Sequence, residues 1–155
     1  MRSLSPPSVG QTAAQARIGD LGRILADVVT MLDRDIDARA RKIGITGPQW
    51  VVLIRIGPGN GSTATDLCRA IGYDSGAMTR MLDRLVSIGL VRRERSDPDR
   101  RVVRVFLTEL GEEMFQHLHP IAFDVLSQHL KGVSDQEIDL LTGLLNRMLK
   151  NGDAR

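Results

Sequence analysis

Between positions 74 and 108 every one of the eight basic residues is an arginine. A guanidinium offers a planar fork of fixed donors, which suits phosphate oxygens and guanine edges better than the point charge of lysine. Arg80 and Arg84 lie four apart in SGAMTRMLDRLVSIG (75–89), and most of the others crowd into RRERSDPDRR (92–101). In the first run Met78, Met81, Leu82 and Leu85 recur at helical spacing, so Ser75, Ala77, Thr79, Arg80, Asp83 and Arg84 fall on the opposite face. Small residues at the start of that helix, Ser75, Gly76 and Ala77, permit close approach, and a helix N-terminus favours a phosphate. Arg80 can read a guanine through two donors. Arg84, one turn on, is placed for the phosphate backbone. The chemistry on offer is recognition of a polyanion.

Catalytic chemistry has no comparable foothold. The sequence holds no nucleophile elbow, dinucleotide fingerprint, metal-ligand spacing or isolated carboxylate pair in an apolar setting. GPGNG (57–61) is followed by no Lys-Ser/Thr pair and reads as a turn. His117 and His119 point to different helix faces, and Cys68 falls on the apolar side of its helix as a small core residue. No catalytic residue, metal or cofactor is expected, and the chain is not expected to be an enzyme.

The elements around the arginines set how they are presented. A long amphipathic helix is expected over roughly Ala13 to Lys42, with Ile18, Leu21, Leu25, Val28, Leu32 and Ile36 in register. Thr46-Gly-Pro-Gln49 is a capping box opening a second, largely apolar helix through Ile56. A short third helix from Thr63 buries Ala64, Leu67, Cys68 and Ile71 and stops at Gly72, and the Ser75 helix follows after a brief linker. Two short helices joined by a tight turn, the second showing arginine and small polar residues outward, outline a helix-turn-helix. LVRRER (90–95) and VVRVFLT (102–108) then form two strands, the second anchored by Val103, Val105 and Leu107, which completes a winged helix. Thr108 caps a fifth helix with Leu110, Met114, Leu118, Ile121 and Val125 in line. Ser134-Asp-Gln-Glu137 opens a sixth, whose Leu140, Leu144 and Leu149 widen its stripe beyond what one neighbour covers. Such surplus apolar surface calls for a second copy of the chain.

The fold class that results is mostly α with a small β-hairpin wing (α+β). Its parts are a disordered lead-in (1–12), the first helix of a dimerisation lobe (13–45), a winged helix-turn-helix lobe (46–108), the C-terminal dimerisation helices (109–150) and a tail (151–155). Charge follows the same division. Residues 1–73 carry nine basic and six acidic groups and residues 74–108 eight and five, but residues 109–155 carry four and eight. With no signal-peptide stretch, no apolar run long enough for a bilayer and one cysteine, a cytoplasmic protein without a membrane anchor is expected.

SGAMTRMLDRL (75–85), GLVRRERSDPDRR (89–101) and LTELG (107–111), in this order and spacing, resemble the MarR family of bacterial transcription regulators across roughly Ile18 to Leu149. The resemblance implies a homodimer held by the first, fifth and sixth helices, with a recognition helix in each DNA major groove and a wing in the adjacent minor groove. Asp99, Arg100 and Arg101 match the family's D-x-R pattern, which makes the arginines the minor-groove probe and Asp99 the group that orients Arg101. The resemblance also implies repression at a pseudo-palindromic operator, relieved by a small aromatic or amphipathic ligand between the two lobes. A candidate pocket for it comprises Val28, Leu32, Trp50, Leu53 and His117, with Trp50 able to stack on the ligand. The alternatives are a redox- or metal-responsive regulator of the same fold, or a winged helix used for protein interaction.

Overall fold

The first helix, α1 (Ala13–Ala40), is followed by a 3-10 turn at Arg41–Ile43 that closes on Gly44, whose φ of 80° suits glycine alone. The computed structural model describes residues 13–59, 61–95 and 102–153, so the lead-in expected over 1–12 and the last two residues of the tail lie outside the described residues. The regular helix stops two residues short of the expected Lys42. Tightening its last turn lets the Ile45 N–H reach the Ala40 carbonyl and drops the Ile45 side chain into the core.

α2 (Gly47–Ile56) begins with the capping box read from the sequence: the Gln49 N–H donates to the Thr46 hydroxyl and the Thr46 N–H to the Gln49 carboxamide. Val52 and Leu53 are fully buried, so α2 is the central helix of the core. α3 (Ala64–Ile71) is capped by Thr63. Its Leu67 is buried, whereas Ala64, Cys68 and Ile71 are half-buried and pack against the core from its margin.

α4 (Ser75–Ser87) turns Met78, Leu82 and Leu85 fully inward, with Met81 half-buried beside them. β2 (Val91–Arg95) and β3 (Val103–Leu107) pair antiparallel, from Val91 opposite Leu107 to Arg95 opposite Val103. The sequence reading missed a third strand, β1 (Ser62–Thr63), which pairs with the other edge of β3. Two residues are too few to show alternation. Gly61 makes that edge possible: its φ is +64°, and a Cβ there would lie 2.6 Å from Cε1 of Phe106. On β3, Val105 and Leu107 are buried as expected, but Val103 is exposed, because it sits at the end of the hairpin farthest from the core.

Thr108 caps α5 (Glu109–His129) by accepting from the Gly111 N–H. Leu118, Ile121 and Val125 enter the core, but Leu110 is half exposed. Gly111 takes the inward place instead, since α5 starts against the Leu90 carbonyl and a Cβ at 111 would collide with it. α6 (Asp135–Asp153) opens with a bond from the Ser134 N–H to Glu137 and one from the Glu137 N–H to the Ser134 hydroxyl. Among its described residues none is buried. The stripe on the N-terminal half of α1 is similarly open, with Ile18, Leu21, Ile24, Val28 and Val29 all exposed. The architecture is therefore a winged helix seated on α1 and α5, with an unpartnered apolar surface shared by α1 and α6.

Candidate nucleic-acid interface

α4 presents the expected face. Ser75, Thr79, Arg80 and Arg84 are exposed, and Gly76 and Ala77 are half-buried at the first turn. A shallow concavity runs along this face, bordered by Tyr73, Ala77, Arg80, Arg84 and Ser87. Among the described residues neither Arg80 nor Arg84 has an ion pair, so both guanidinium groups are available to a ligand.

The first turn of α4 is held by Asp74, a residue that sequence reasoning treated as linker. Its carboxylate accepts from the Ala77 N–H at 2.8 Å. That backbone bond, with the Gly76 N–H and the charge of Arg80 behind it, holds the Asp74 carboxyl below the ordinary carboxylate range against the opposing effect of desolvation. Gly76 has a related role. A Cβ there would lie 3.2 Å from Oδ1 of Asp74 and 3.4 Å from Nη1 of Arg80, so its absence leaves room for that guanidinium over the first turn. The missed signal was the aspartate itself, one residue before a small-residue run, where an N-cap belongs.

Asp83, a possible partner for Arg80 by sequence spacing, is bound elsewhere. Arg93 of β2 reaches it at 2.8 Å. This cross-link joins the root of the wing to the middle of α4, and it takes Asp83 away from Arg80. On the same strand Arg92 pairs with Glu94 and lies 5.2 Å above the Phe106 ring, which fixes the hairpin's face. Asp99, Arg100 and Arg101 lie outside the described residues.

The five residues expected to form an effector pocket differ in exposure. Leu53 is fully buried in the core. Trp50 is half-buried and donates its indole N–H to the Leu118 carbonyl at 3.0 Å, pinning α2 to α5. Leu32 packs beside the core, while Val28 and His117 face outward. None of the four described cavities is lined by any of them. Among the described residues no three His, Cys, Asp or Glu side chains come together as a metal cage, and no helix is long and apolar enough to cross a membrane.

Comparison with known proteins agrees with this geometry. A family profile described as the MarR family matches residues 43–102, from the end of the 3-10 turn before α2 to the residue before β3. A mutant of E. coli MarR, solved in complex with operator DNA, is 34% identical, with 86% of this chain and 96% of that one covered and a TM-score of 0.74. A MarR transcriptional regulator from Methanosarcina mazei Go1 is 27% identical, with 86% and 96% covered and a TM-score of 0.78.

Proposed function

The chain belongs to the MarR family of transcriptional regulators, and from that premise we propose that it is a homodimeric repressor of a pseudo-palindromic operator, released by a small aromatic or amphipathic ligand. Members of the family are regulators of transcription and not enzymes. The observation that carries the reading is the outward face of α4: Arg80 and Arg84, exposed and without ion pairs among the described residues, beside a first turn of small residues, with the wing cross-linked to the same helix through Arg93 and Asp83.

In this reading Ser75, Gly76, Ala77, Thr79 and Arg80 meet base edges in the major groove, and Arg84 meets a phosphate. Arg100 and Arg101 enter the adjacent minor groove, with Asp99 orienting Arg101. Two α4 helices related by a two-fold axis would address half-sites about one helical turn apart, roughly 10 bp. The apolar surface of α1 and α6 supports the dimer, since a second copy is the simplest cover for it.

Titration of the pure protein with candidate operator and random duplexes at several salt concentrations tests the proposal. Preference for one duplex, steep salt dependence, and weaker binding by Arg101→Ala are expected. A dimer that holds no duplex at low salt refutes it.

A further inference from the structure

A cavity of about 310 Å³ opens between the C-terminal half of α1 and the first turns of α2, away from the α4 face that carries the arginines. Its apolar wall is Ile36, Pro48, Val51 and Tyr73, and its polar wall is Asp33, Arg34 and Asp37. That volume is at the lower end of the roughly 300–1,000 Å³ usual for small-ligand sites, enough for one ring with a polar substituent.

The charges in it are unevenly committed. Asp37 accepts from the Gly47 N–H at 2.6 Å and from Nε of Arg41 at 2.6 Å, so its carboxylate is anchored and stays ionised. Arg34 turns to Asp35, at 3.3 Å. Asp33 has no ion pair or hydrogen bond among the described residues. The one cation of the wall is thus engaged outside it, and the one uncommitted charge is negative. An anionic ligand would meet two carboxylates. A cation would meet one free carboxylate, a second behind it, and the side chain of Tyr73.

We infer that this cavity binds a small planar organic cation, an aryl amidinium or aryl ammonium, with its ring among Pro48, Val51 and Tyr73 and its charge at Asp33. The site also has a route to the DNA face. Tyr73, in the turn between α3 and α4, borders both this cavity and the concavity on α4. A ligand that displaces Tyr73 therefore shifts the root of α4. This regulatory consequence rests on the DNA-binding reading above, whereas the binding itself does not.

Benzamidinium, benzamide and benzoate share one shape and differ in charge. In calorimetric titration of the purified full-length protein, benzamidinium should bind at least tenfold tighter than either of the others. Asp33→Asn should weaken it about fivefold, the upper range for a solvent-exposed ion pair, and Val51→Trp, which fills the cavity, should abolish it. Asp139→Asn on α6 should leave it unchanged. Benzoate binding as tightly as benzamidinium, or an Asp33→Asn variant of unchanged affinity, overturns the inference. Cation-selective binding by a protein that holds no duplex would keep the cavity and remove the DNA reading; DNA binding without cation-selective uptake would remove the cavity alone.

Discussion

Replacing Leu144 by aspartate should split the dimer while leaving the winged helix folded. Leu140, Leu141, Leu144, Leu145, Met148 and Leu149 of α6 are 64, 46, 41, 37, 48 and 67% exposed in the single chain, about three whole side chains' worth. At about 2 kcal/mol for each side chain buried, covering them contributes roughly 6 kcal/mol per protomer and 12 per dimer. Association costs about 4–15 kcal/mol, so α6 alone comes near balance and the exposed face of α1 tips it. Leu144 lines a groove between the two helices with Leu21, Leu25 and Met148, and a partner helix would have to fill that groove. Aspartate there forfeits close to 1 kcal/mol of burial in each protomer and strands a charge, at a cost of at least about 1–3 kcal/mol each. Two copies together lose about 4 kcal/mol or more, which raises the dimer dissociation constant roughly a thousandfold. Sedimentation equilibrium at low micromolar concentration reads this directly. Val86→Asp on α4, where the exposure is a matching 40%, is the control and should stay dimeric. If Leu144→Asp remains dimeric, or if Val86→Asp dissociates equally, the α1 and α6 surface is not the interface.

The other consequences concern single residues. Arg80→Ala should cost about 1–3 kcal/mol of discrimination at one base pair of each half-site, seen as a flattened preference in competition titrations, whereas Arg84→Ala should weaken all duplexes alike and reduce the salt slope by about one per protomer. Gly111→Ala should lower stability by about 1–3 kcal/mol in urea unfolding, because the new methyl group meets the Leu90 carbonyl, and a loss below about 0.5 kcal/mol would contradict that contact. Asp35, Asp37, Asp66, Asp74 and Glu137 all have carboxyls lowered by hydrogen bonds in the folded state, from ordinary values of 3.8 and 4.5. The unfolded chain therefore binds protons more readily. Their stabilising contribution is complete above about pH 5 and is lost as pH falls through and below about 4, so unfolding midpoints should be level from pH 7 to 5 and drop by pH 3. A level midpoint down to pH 3 would show that these bonds contribute nothing.

Elements with a repeating apolar pattern or a capping box were legible in the sequence. α2, α4 and α6 begin where Thr46, the Ser75 run and Ser134 indicate, because those signals depend on residues within one helical turn. What escaped was tertiary. β1 exists only because β3 offers an edge and Gly61 clears the Phe106 ring. Leu110 gave up its inward place to Gly111 because α5 starts against the Leu90 carbonyl, which no periodicity reports. The outward face of α4 could be read from spacing alone, but spacing offered Asp83 to Arg80, and only the fold brings Arg93 from another element to take it. Spacing was equally silent on the partners of the expected pocket residues: the Trp50 indole donates to the Leu118 carbonyl of α5, and Leu53 is fully buried in the core.

The packing also limits how any ligand could act on DNA binding. α2 and α5 both rest on α1, and the Trp50 bond to Leu118 ties α2 to α5, so these three helices form one frame. The main neighbours of α4 are α3 and β2, and α3 in turn rests on α2. α4 is thus linked to the frame through α3, through the wing, and through the turn that holds Tyr73. Asp83 and Arg93 make α4 and the wing move together, since rotating one without the other would separate a pair 2.8 Å apart. A ligand at Tyr73 would then shift helix and wing as a unit against the α1–α2–α5 frame. In a dimer joined through α1 and α6 that displacement appears as a changed distance between two α4 helices. An operator with half-sites at one fixed spacing is sensitive to that distance, and a ligand that prefers the mismatched spacing by 1–3 kcal/mol would lower operator affinity about 5- to 150-fold.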